Sequence, residues 1–419
     1  MARGDRRLRS GAAAQLHVIL AALTLSATLA AQQHFRSALD DLYAYAGPAA
    51  ADEFQTAATS DPHFALAYWG KALAEGSDLN TPLDADRFAA AHAASVQAGA
   101  LEAYASPQER ALIEAVLARY AGSYDDRARD ERAYRTAMET YVATYPDDDD
   151  GTMLLVESLL ESDGMHWNAD GTPQGAAVEI LTLTQRVLGR APEQLFANHL
   201  CIHEYDDAPD RTPAIACAQR LDAMTFRPPQ EHLAHMPAHT WIELGDGAAA
   251  VASSERAWAL GPVRYAEHDA YVGLSAAMLD GDLDARVRWS ERIAALEGAP
   301  PNLDAPPYVR DAQRDEALGK TDAALDVLRK NAALQANAGE LLPLYPADVR
   351  IGALLFRAGR YADARDTFTA TLREHPRMPR ALFGMAQTLR MLGESAAAEP
   401  YERAFARAWR GPALTMTDF

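Results

Sequence analysis

Tyr345 to Pro376 reads YPADVRIGALLFRAGRYADARDTFTATLREHP. Two helical periods flank a turn at Gly359. The first carries Gly352 and Leu355, a G-x-x-L pattern, and the second carries Tyr361, Ala364 and Phe368 before the closing Pro376. Small residues let two antiparallel helices approach, and the aromatic fills the gap between neighbouring hairpins. The stretch therefore predicts one helical hairpin. A further copy follows, marked by Ala381, Ala386, Leu389 and Gly393.

Working backward, the same punctuation recurs. Pro62 ends a unit with Phe54 and Ala57, Pro146 ends another, and Pro192 follows a helix expected over Gln174 to Leu188. Pro262 closes a unit whose turn is Gly245 and whose second helix carries Ala250 and Ala257. Gly319, Ala324 and Leu328 mark a degenerate copy. Ala91 to Ala98 and Pro107 to Tyr120 also read as helices, and long loops are expected at Gly76 to Asp84, Asp163 to Pro173 and Ala299 to Pro307. The small and large positions from Gly352 to Pro376 resemble a tetratricopeptide repeat. The expected fold is all-α, a right-handed superhelical solenoid of roughly nine or ten hairpins.

Composition agrees with a helical array. The chain has 419 residues, 49% of them hydrophobic, with a net charge of -20. Such an acidic surface argues against nucleic acid and anionic membrane partners. Arg3, Arg6, Arg7 and Arg9 precede the apolar stretch Val18 to Leu29, with small residues at Ala30 and Ala31. That is the pattern of a secretory signal peptide over residues 1–31, cut after Ala30 or Ala31. Arg6-Arg7 leaves either export route open. Removing four Arg and one Asp takes away +3, leaving -23. No second long apolar run is present, so no integral membrane segment is expected after cleavage. The remaining chain divides into N-terminal degenerate repeats (32–150), a central His-rich part (151–300) and C-terminal repeats (301–419). Cys201 and Cys217 are the only cysteines. They are either a disulfide across one hairpin or two small buried residues.

The chemistry concentrates between Asn198 and His239, in NHLCIHEYDD (Asn198 to Asp207) and EHLAHMPAHTW (Glu231 to Trp241). His199 and His203 are four apart, as are His235 and His239, and the pairs lie 36 residues apart. Residues four apart share a helix face. With Gly245 as the turn glycine, His232, His235 and His239 take the second, fifth and ninth positions of their unit. Counting from Pro192, His199 and His203 take the fifth and ninth, and Asp206 and Asp207 the twelfth and thirteenth. The tetratricopeptide resemblance implies that these positions line a concave groove. Imidazoles four apart can hold one cation, and a second pair from the next helix would complete a four-nitrogen site. Asp206 and His232 are alternates, as ligands or as groups that orient an imidazole. Zn or Cu suits such a donor set, with Fe or Ni as further options. The competing reading is a polar groove that binds a peptide or sits in water.

His166 and His268 stand 33 residues before His199 and 33 after His235. The register nevertheless puts His166 in a loop beside Trp167, and Pro262 and Gly281 give His268 conflicting phases, so both are expected at the rim. Glu157 and Glu161 hold the preceding unit's groove positions and are acid–base candidates, with a solvated helix as their default. Asp147 to Asp150 reads as a solvated helix start. There is no HExxH, no Gly-rich phosphate loop and no G-x-S-x-G, so no nucleotide cofactor is expected.

The chain resembles a group of exported bacterial tetratricopeptide-repeat proteins with NHxxIHxxD/E and HLxHMPxH motifs. Asn198, His199, Ile202, His203 and Asp206 meet the first motif. His232, Leu233, His235, Met236, Pro237 and His239, followed by Trp241 and Gly245, meet the second. Asp170 to Leu181 and the closing repeats through Trp409 are similar too. Asp163 to Trp167, Ala238 and Thr240 depart from the pattern. The resemblance implies the fold and the groove and supplies no reaction. Two functional readings follow. One is an exported solenoid whose groove holds a transition metal, with catalysis open and, if present, a metal that activates water or oxygen. The other is a scaffold without chemistry that binds a peptide, a protein or a small molecule in the groove. A structural envelope component is a third class that no residue favours.

Overall fold

A computed structural model describes residues 25–161, 166–168, 170–206, 208–262, 264–298, 307–335 and 347–419. In chain order the helices are α1 Leu29–Leu42 and α2 Gly47–Ser60, α3 Ala65–Glu75 and α4 Ala85–Ala100, α5 Pro107–Arg119 and α6 Arg127–Thr144, and α7 Asp149–Leu160 and α8 Ala177–Arg190. There follow α9 Leu195–Asp206 and α10 Ile215–Ala223, then α11 Glu231–His235, α12 Pro237–Glu243 and α13 Gly247–Ala259. The chain continues through α14 Ala266–Asp280 and α15 Leu283–Glu297, α16 Pro307–Ala317 and α17 Thr321–Gln335, α18 Ala347–Arg357 and α19 Tyr361–Glu374, and α20 Pro379–Met391 and α21 Ser395–Ala408. α11 and α12 are one arm broken at Met236, because Pro237 lacks the N–H that a continuous helix would use. Counted that way, the described residues form ten antiparallel hairpins; successive hairpins pack on one another from the first to the seventh and from the eighth to the tenth, and α14 also meets α20. No helix among the described residues is long and apolar enough to cross a membrane.

The small-to-large rule read from the sequence is what packs the hairpins. Phe368 on α19 is fully buried, and its ring fills the space beside Gly352 and Gly384 where a side chain would otherwise stand. Gly245, between α12 and α13, has φ +80, and a Cβ there would strike the backbone of Met378. Only glycine satisfies both demands at that turn. Local signals set the helix starts. Ser106 and Glu109 form a reciprocal capping box at the head of α5, which satisfies two backbone N–H groups. Asp148 caps α7 through Gly151 N–H. Asp147 to Asp150 do begin a helix, but Asp148 is buried rather than solvated, and burial lifts the Asp150 carboxyl to about 6.

The apolar core has two parts. One runs from Ala31 to Leu200, the other from Cys201 to Phe419, so they meet within α9. Cys201 and Cys217 are disulfide-bonded, which decides between the two readings of the cysteines and ties α9 to α10. Most of the expected leader lies outside the described residues. Its last part is packed on the fold: Ser26 N–H donates to Glu109 Oε1 at 2.8 Å, Thr28 caps α1, and Ala31 is buried. The expected cut therefore falls in the first turn of α1.

Candidate metal centre

The first arms of successive hairpins supply the histidines. α9 carries His199 and His203, α11 carries His232 and His235, α12 carries His239, and α14 carries His268. The close approaches sort them into two groups. His199 Nε2 lies 3.1 Å from His203 Nε2 and 3.2 Å from His232 Nε2. His239 Nε2 lies 3.1 Å from His235 Nε2 and 3.2 Å from His268 Nε2. Each group offers three ligand atoms mutually within 4.8 Å. The two expected pairs, then, do not pool into one four-nitrogen cluster among the described residues. Each pair instead takes a third imidazole from the next arm. His232 belongs to the first triad, and His268, expected at the rim, completes the second.

Burial and backing groups aim the rings. His199 and His235 have no exposed surface and His232 almost none. His199 Nδ1 donates to the Tyr43 carbonyl at 2.7 Å, in the tautomer that leaves Nε2 bare toward its neighbours. His235 Nδ1 faces the buried Asp269 carboxylate at 3.3 Å. Asp206 Oδ2 stands 3.9 Å from Nδ1 of both His203 and His239. It stands on the Nδ1 side of both rings, away from the Nε2 focus, at a distance too long for a direct hydrogen bond. Asp207 lies outside the described residues. Burial keeps the imidazoles neutral. It lowers His199 to about 3 and His239 to about 4, and it holds His203, His232 and His235 well below their ordinary value. Neutral imidazoles with bare nitrogens are ready ligands.

Two tyrosines flank the first triad. The Tyr265 ring stacks on His232 at 4.5 Å, and the Tyr45 ring lies 4.6 Å from His199 and 5.7 Å from His232. Tyr45 is the one described non-glycine residue with positive φ, at 54°. That left-handed conformation is uncommon for a bulky side chain and is held here by packing. Glu157, expected in solvent, is buried instead, and Glu161 pairs with buried Arg119 at 3.1 Å. Burial, and next the charge of Glu161, raise Glu157 well above its ordinary range, and burial raises Glu161 to about 7. His166 belongs to neither triad, and its Nδ1 lies 3.2 Å from Glu204 Oε2. Asn80, Asp269 and the Tyr43 carbonyl were not singled out from sequence. The 33-residue steps from His199 to His232 and from His235 to His268 were the signal for the third imidazoles.

The tetratricopeptide repeat family model matches residues 349–412. No curated protein matches the chain. Among solved structures, yeast Tom70 is similar over 93% of this chain and 86% of its own, at 13% identity and a TM-score of 0.31. The P58(IPK) TPR domain is similar over 90% and 92%, at 13% identity and TM-score 0.24. The human IFIT1 dimer with m7Gppp-AAAA is similar over 86% and 68%, at 14% identity and TM-score 0.29. With the repeat match at the C-terminal hairpins and ten hairpins along the described residues, the chain has an all-α, tetratricopeptide-like helical-repeat fold.

Proposed function

We propose that this chain is an exported helical-repeat protein that binds two transition-metal ions inside its groove, one in each three-imidazole site. The observation that carries the reading is the convergence of three Nε2 atoms at 3.1–3.2 Å steps in each triad. Ligands about 2.0–2.1 Å from one tetrahedral ion stand about 3.3 Å apart. Neutral imidazoles hold such contacts as Nε2–H···Nε2 hydrogen bonds, with the roles set by the tautomers, whereas a cation at the focus takes all three Nε2 lone pairs at once. The all-imidazole donor set suits zinc or copper. The Cys201–Cys217 disulfide supports an oxidising compartment. The decisive experiment is metal analysis of untagged protein purified from the periplasm. Two ions per chain are expected, falling to one in His199→Ala and to one in His268→Ala. Full-length protein that binds no zinc or copper overturns the proposal.

Tetratricopeptide repeats are a scaffold that usually mediates protein interactions, and the match at 349–412 supports a second role. The C-terminal hairpins present a peptide or protein surface while the central ones hold metal.

A further inference from the structure

Asn80 sits in the loop between α3 and α4, 152 residues from His232, yet its carboxamide nitrogen lies 3.2 Å from His232 Nε2. That distance equals the step between imidazole nitrogens within the triad. The loop is built to hold it there. Asn80 N–H donates to Asp78 Oδ1 at 2.9 Å, and Asp78 forms an isolated bridge with Thr81. Arg264 also holds the loop: it lies 3.3 Å from Asp78 Oδ2 and donates to the Tyr45 carbonyl at 2.7 Å. One arginine thus ties the Asn80 loop to the backbone of Tyr45, whose ring lies against His199, His203 and His232.

We propose that the Asn80 carboxamide is the fourth ligand of the ion held by His199, His203 and His232, making this a closed, four-coordinate site. The inference rests on the metal reading above. With imidazoles alone, the amide nitrogen donates to a bare Nε2. With a cation at the focus, a half-turn about the last side-chain bond presents Oδ1 from the same place. The Tyr265 hydroxyl lies beside Asn80 with no other hydrogen-bond partner among the described residues, and a hydroxyl both donates and accepts, so it is suited to either orientation of the amide. Sites with four protein ligands hold structure, whereas catalytic sites keep a position for water. The first triad accordingly serves to lock the fold.

Cobalt(II) as the metal and azide as the competing anion test this. His268→Ala removes one imidazole from the second triad and is loaded with one equivalent of cobalt(II). The visible cobalt spectrum of this protein is expected to ignore millimolar azide. Adding Asn80→Ala is expected to weaken cobalt binding about 10–100-fold and to make the spectrum respond to azide. Asn80→Asp keeps an oxygen in place and is expected to restore azide resistance. If cobalt binds but azide perturbs the spectrum equally with and without Asn80, or affinity is unchanged in Asn80→Ala, the amide only hydrogen-bonds and this assignment fails while the metal reading stands. If cobalt does not bind the full-length protein at all, both fail.

Discussion

The imidazoles and the buried carboxyls give opposite pH dependence. An unfolded histidine protonates near 6.5, but His199 and His239 in the fold wait until about 3 and about 4. Between those values the unfolded chain binds more protons, so stability rises with pH. This contribution is complete above about pH 6.5 and is lost as pH falls through the folded values. Chelator-treated protein is expected to lose melting temperature steadily from pH 6.5 to 4. Because the ligands are already neutral, zinc binding at pH 7 is expected to release almost no protons. Calorimetry in buffers of different ionisation enthalpy measures this, and release of two or more protons per ion would contradict the neutral triads. Glu157 works the other way. Its folded value is raised by burial and by Glu161, so its contribution is complete below the unfolded value and is lost as pH rises through the folded one. Glu157→Gln is expected to raise the stability of metal-free protein at pH 8, where the parent carries the cost of a buried, ionising carboxyl. Near pH 4.5 the variant and the parent should melt together. Equal melting at both pH values would mean that Glu157 is compensated.

α9 carries two imidazoles of the first triad on one face and a cross-link on the other. His199 and His203 face each other and His232 while Cys201, between them, bonds to Cys217 on α10. The disulfide closes a 16-residue separation, for which loop entropy gives about 3 kcal/mol. Cys201→Ser with Cys217→Ser is expected to lower stability by about 2–3 kcal/mol and to weaken metal binding at the first triad more than at the second. Equal weakening at both would show that α9 is not the element being steadied. The hairpins were legible in the sequence because Gly352 beside Phe368, and Gly245 at a turn, leave local marks. The histidine pairs were legible for the same reason, since spacing by four fixes a helix face. How the pairs group was not, because it depends on how far one hairpin is offset from the next. The 33-residue steps carried that offset, but Pro262 and Gly281 disagreed about where α14 begins, and His268 was lost to the rim. Glu157 and Glu161 were misread because helix position alone does not show that Tyr45 and Arg119 cover them. Tyr43 and Asn80 lie 156 and 152 residues from the histidines they touch. Only the winding of the whole array brings them there.

The two sites differ in what they join across the whole molecule. The first triad lies where the two apolar cores meet: His199 precedes the division within α9, His232 follows it, and the turn at Tyr43 and the loop at Asn80 reach in from the first two hairpins. An ion there links the first two hairpins to the fifth and sixth. The second triad lies on α11, α12 and α14, within the second core, and links only adjacent hairpins. A ligand that binds only the folded state stabilises it by RT ln(1 + [L]/Kd), about 2.7 kcal/mol per site at 100 times Kd. That stabilisation has a location, which hydrogen exchange reads. Zinc added to chelator-treated protein is expected to slow exchange in the turn 43–46 and the loop 76–84 as well as in α14. In His232→Ala the slowing at 43–46 and 76–84 should vanish while that in α14 persists, and in His268→Ala the pattern should reverse. If His232→Ala leaves zinc protection of the turn and the loop intact, the first triad does not join the cores. If zinc slows exchange only near α14 in the parent protein, only one of the two sites takes an ion.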